Sequence, residues 1–95
     1  MSDVIDAAVK ALASKMPDGF DGIAKFVIDG EGAIMVDANG VRAADDAADV
    51  TMTATAEVFE ALMRGEMNPT MAFMSGNPSV DGSMGLAMTL GAALA

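Results

Sequence analysis

The chain has 95 residues, with 14 acidic and 5 basic side chains, a net charge of −9, and neither cysteine nor histidine. That length holds one core and not two, and an apolar content of 53% argues for a packed domain rather than disorder. The charge disfavours nucleic-acid phosphates and anionic membranes, while the missing residue types remove disulfides, thiolate nucleophiles and the commonest general base and metal ligand.

In chain order, Ser2 to Met16 reads as an amphipathic helix. Ser2 is placed to cap it, Asp3 and Asp6 complement the positive end of its dipole, and Pro17 stops it. Val4, Ile5, Ala8, Val9, Leu12 and Met16 form an apolar stripe that must lie on something. From Ile23 the period changes to two, with Ala24, Phe26 and Ile28 on one side and Ile23, Lys25, Val27 and Asp29 on the other. Asp29-Gly30-Glu31-Gly32 links this strand to a second over Ala33–Asp37. Asn39-Gly40 signals a type I′ turn into a short third strand near Val41 to Ala44, and the acidic run Asp45 to Asp49 reads as irregular.

Val50 to Ala54 predicts a fourth strand. Thr55 or Thr53 can cap a helix to Arg64, with Val58, Phe59, Leu62 and Met63 as its stripe and Gly65 at its C′ position. Asn68-Pro69 starts a short helix that Gly76 ends. Ser79-Val80-Asp81 reads as a fifth strand, kept short or at an edge by Pro78, and Ser83 caps a last helix to about Leu94. The expected architecture is α+β: a small five-stranded, mostly antiparallel sheet covered by about four helices, forming a single domain over residues 1–95.

Ala61 to Leu90 concentrates the unusual chemistry, holding six of the ten methionines: Met63, Met67, Met71, Met74, Met84 and Met88. Methionine fills irregular apolar volumes, which suits an ordinary core and also the wall of a cavity. Gly82 to Ala95 has no charged residue, so its helix needs cover on every side or ends as a partly exposed alanine-rich terminus. A lipid, a second copy of the chain or a membrane surface would each supply that cover.

Other motifs point to less. The Asp37, Asn39, Asp45, Asp46 and Asp49 spacing lacks the register of a calcium loop, and Gly30-Glu31-Gly32 and Gly82-Ser-Met-Gly85 lack the lysine of a phosphate cradle. No serine or threonine has an evident activator. No catalytic residue, metal or cofactor is therefore expected. Asp3 and Asp6 stand where a signal peptide needs positive charge, and no apolar run reaches the roughly 18 residues that span a bilayer. The expectation is a soluble cytoplasmic protein whose membrane contact is at most transient.

Several runs together resemble the sterol carrier protein type-2 family. They are Ala48-Asp-Val-Thr, Val58-Phe-x-Ala-Leu-Met-x-Gly65, Met67-Asn-Pro, Ala72-Phe-Met-x-Gly76 and Asp81-Gly-x-Met-Gly-Leu-Ala-Met-x-Leu90, spread over about half of the chain. The resemblance implies an apolar tunnel between helices and sheet, and non-covalent binding or transfer of fatty acids, acyl chains or sterol-like lipids. It places the tunnel wall at Phe59, Met63, Met67, Met71 and Met74, continuing through Met84, Leu86, Met88 and Leu90. Arg42, Arg64 and the N–H groups at Ser83 are the headgroup candidates. Asn77-Pro78-Ser79 and Thr89 depart from basic positions of the family, which lessens the case for an anionic head such as acyl-CoA. The competing expectation is an interaction module, a homodimer formed through the uncharged C-terminal helix.

Overall fold

A computed structural model describes residues 3–68, 71–72 and 79–94. Helix α1 (Asp3–Lys15) is followed by strands β1 (Ala24–Ile28), β2 (Gly32–Asp37), β3 (Gly40–Ala43) and β4 (Val50–Ala54). Helix α2 (Ala56–Met63), strand β5 (Ser79–Gly82) and helix α3 (Met84–Leu94) complete the order. The five strands form one mixed sheet ordered β3-β2-β1-β4-β5. Only the β1–β4 pairing is parallel; the other three are antiparallel.

Alternation in the strands sets one greasy face. Registers place Ala24 beside Val36 and Val50, and Phe26 beside Ile34 and Met52, so that face is built in cross-strand rows. These side chains share a core with Ile5, Ala8 and Leu12 of α1, Phe59 of α2, and Ala87, Leu90 and Leu94 of α3. The Phe26 and Phe59 rings meet edge to face, 5.8 Å between centroids at 77°, which fastens α2 over the sheet.

Local chemistry explains the helix ends. Thr55 Oγ1 accepts the Val58 N–H at 3.2 Å, and Ser83 Oγ accepts the Leu86 N–H at 3.2 Å, each satisfying a donor that the helix leaves free. Asn68 Oδ1 accepts the Met71 N–H at 3.1 Å, and the Ala72 N–H donates to the Asn68 carbonyl at 2.9 Å. These two bonds belong to the start of the short helix expected from Asn68-Pro69; the rest of that expectation, like the Ser2 cap, lies outside the described residues.

One local reading is corrected, and one irregular stretch gains a role. The β2–β3 hairpin forms, but its turn is not type I′, because that turn needs positive φ at both central residues and every positive φ among the described residues belongs to glycine. Asp37 Oδ1 instead accepts the Asn39 N–H at 2.9 Å, an Asx-type turn. Asp49 is no idle member of an acidic loop. Its Oδ2 accepts the Ile23 N–H at 3.2 Å, its N–H donates to the Ile23 carbonyl, and its carbonyl accepts the Ser83 N–H. One residue thus ties the start of β1 to the start of α3.

Candidate functional site

Helices α1 and α2 come together through small side chains and do not close the space between them. Ala7, Ala8 and Ala11, with Asp3 and Val4, line the α1 side of a partly open cavity of about 520 Å³. The α2 side is lined by Ala56, Phe59, Glu60, Met63 and Arg64. The volume falls within the range of roughly 300–1,000 Å³ typical of small-molecule pockets. Its wall is mostly hydrocarbon, and Phe59 joins it to the core beneath.

The charged lining groups are Asp3, Glu60 and Arg64. Arg64 Nη2 stands 3.8 Å from Glu60 Oε1, one helical turn away, with both side chains largely in water. This is a long, solvated ion pair, worth about 0.3–0.5 kcal/mol at best. Among the described residues no cluster of three acidic side chains is placed to hold a metal ion.

Of the wall positions implied by the resemblance, Phe59 and Met63 lie on this cavity, as does the headgroup candidate Arg64. The others are distributed differently. Leu90 is fully buried on the inner side of α3, while Met67 and Leu86 are half-buried away from the cavity. Met71, Met84 and Met88 are 69%, 57% and 46% exposed. Met74 lies outside the described residues. The cause in α3 is geometric: Ala87, Leu90, Gly91 and Leu94 take the sheet-facing side, so the i, i+4 pair Met84 and Met88 is turned outward.

The remaining headgroup candidates have other occupations. Arg42 Nη2 lies 3.0 Å from Asp37 Oδ2, on the edge hairpin. That hydrogen bond, helped by the Asn39 N–H, holds the Asp37 carboxyl below its ordinary pKa and raises that of Arg42. Ser83 is occupied as the α3 cap. The alanines of α1 are the lining residues that the methionine pattern did not reveal. The sequence shows Ala7 and Ala11 one turn apart beside Ala8, but only the fold brings Ala56 to the same cavity.

Comparison with known proteins places the fold. The model of the SCP-2 sterol transfer family matches residues 5–95. Human sterol carrier protein 2 is 40% identical over 82 residues, covering 82% of this chain and 14% of the relative. Xenopus laevis hydroxysteroid dehydrogenase-like protein 2 is 32% identical over 98 residues, covering 95% of this chain and 24% of the relative. The chain therefore spans only a small part of either protein. The solution structure of Aedes aegypti sterol carrier protein-2, in complex with the C16 fatty acid palmitate, superposes with a TM-score of 0.76 at 22% identity, covering 100% of this chain and 97% of that one. Sterol carrier protein domain 2 of Helicoverpa armigera gives 0.66 at 28% identity, covering 95% and 81%.

Proposed function

The chain belongs to the SCP-2 sterol transfer family, and on that premise we propose that it is a non-catalytic lipid-binding module whose cavity between α1 and α2 takes an acyl chain or a similar apolar guest. The observation that carries the reading is that cavity, apolar-walled and about 520 Å³, in a chain whose fold matches that of a palmitate-bound sterol carrier protein. Each methylene withdrawn from water contributes about 0.8 kcal/mol. Six or so offset a substantial part of the ordering cost of association. The lining groups with ionisable side chains are Asp3, Glu60 and Arg64, which supply orientation at the mouth rather than a nucleophile and its base.

No helix among the described residues is long and apolar enough to cross a membrane. Displacement of a fluorescent acyl probe by unlabelled long-chain lipids tests the proposal. Saturable displacement at one site per chain is expected. A probe that never binds, together with protein purified without detergent that yields no lipid on extraction, would remove the proposal.

A further inference from the structure

Resting on the lipid-binding reading of the α1–α2 cavity, we infer that its charged lining selects against an anionic head, favouring a cationic amphiphile over a neutral one and a neutral one over a carboxylate. Three ionisable side chains line the space, Asp3, Glu60 and Arg64, two carboxylates against one guanidinium. The guanidinium is already partnered with Glu60 at 3.8 Å. An incoming carboxylate meets one guanidinium that already faces Glu60, and two lining carboxylates that repel it. An ammonium head meets the opposite balance, attracted by two lining carboxylates and repelled by one guanidinium.

The α1 end points the same way, because its positive dipole end is already met by Asp3 and Asp6 before an anionic head arrives. The net charge of −9 adds a repulsive field for anions. Because Glu60 and Arg64 are 61% and 64% exposed, the discrimination is a matter of fold-changes and not an absolute block.

The test is calorimetric titration of the full chain with dodecylammonium, dodecanol and dodecanoate at about pH 8, where both ionisable heads are charged. One guest per chain is expected, in that order of affinity. The two ends of the series should differ by about tenfold at low salt. The spread should contract at about 1 M NaCl, where screening acts within about 3 Å. Glu60→Gln should release Arg64 and bring dodecanoate up to the affinity of dodecanol. Dodecanoate binding as tightly as dodecanol, an order unmoved by Glu60→Gln, or dodecylammonium failing to displace dodecanol would each overturn this inference while leaving the lipid site standing. If none of the three binds, the lipid-binding reading falls as well.

Discussion

Helix α3 lies on the sheet with Ala87, Leu90, Gly91 and Leu94 buried, whereas α1 and α2 face one another across Ala7, Ala11 and Ala56 and leave about 520 Å³ between them. Both flanks are rich in alanine, but α3 carries no charge while α1 and α2 carry Asp3, Asp6, Lys10, Lys15, Glu57 and Glu60. The partner differs as well. Opposite α3 stand the strands, whose Val50 and Met52 belong to the same core as Leu90 and Leu94. Opposite the α1 alanines stand Ala56, Phe59 and Met63, and the short α1 side chains leave a gap that stays partly open. The lesson is that space inside a small domain is made by what is left off the helices as much as by what is put on them.

The largest expected effect lies on the packed flank. Leu90 is fully buried, so Leu90→Ala should lower stability by about 3 kcal/mol in urea unfolding, from lost transfer energy plus the cavity left behind. Lipid affinity of the folded fraction should stay within about twofold, because Leu90 does not line the α1–α2 cavity. Loss of affinity in protein that is still folded would mean that the guest reaches under α3, and the contrast between the flanks would break.

Gly82→Ala comes next. Gly82 sits at φ +100° against the Asp49 carbonyl, where a Cβ would collide with backbone oxygen. A loss of about 2 kcal/mol is expected, the combined effect of a forbidden φ and a displaced strand end. Hydrogen exchange should rise at the Ser83 N–H, whose acceptor is that same Asp49 carbonyl. An unchanged urea midpoint would show that the β4–β5 edge yields more easily than its geometry implies.

On the open flank the expected effect moves from stability to affinity. Ala11→Leu places a side chain into the space between α1 and α2, and should change stability by no more than about 0.5 kcal/mol while weakening lipid binding about tenfold. Met84→Gln and Met88→Gln, on the outer side of α3, should leave binding within about twofold. The reverse pattern, with the methionines decisive and Ala11 indifferent, would move the site to the other flank.

How much of this was legible in the sequence follows from how far each signal reaches along the chain. The face of β1 was read from Ala24, Phe26 and Ile28, and the caps at Thr55, Asn68 and Ser83 from their own identities, because such features are decided within a few residues. Asp49 escaped, since its partners at Ile23 and Ser83 are near it only in three dimensions. The methionine stripe identified an oily half of the chain but not its orientation. A helix without charge has no polar side to mark the outside, so Met84 and Met88 looked as inward as Leu90. The α1 alanines escaped for a different reason: alanine suits buried and exposed positions alike, and only its placement opposite Ala56 gives it a role.

The smallest expected effect separates the edge hairpin from both flanks. Asp37 has its carboxyl pKa lowered in the folded chain, chiefly by the hydrogen bond from Arg42 and then by the Asn39 N–H. A lowered folded value means that the ionised form is the one stabilised. Its contribution is therefore complete above the ordinary carboxylate range and is lost as pH falls through that range into the folded value. Arg42→Gln should cost a small amount of stability near pH 7, and the difference from the parent should shrink below about pH 4. A difference that widened in acid would mean that the pair acts with the opposite sign. Arg42 does not line the cavity, so the same variant should bind dodecanoate as the parent does, in contrast to Glu60→Gln. If Arg42→Gln instead abolished carboxylate binding, the head of the guest would lie at the hairpin, and the α1–α2 gap would be an accident of packing.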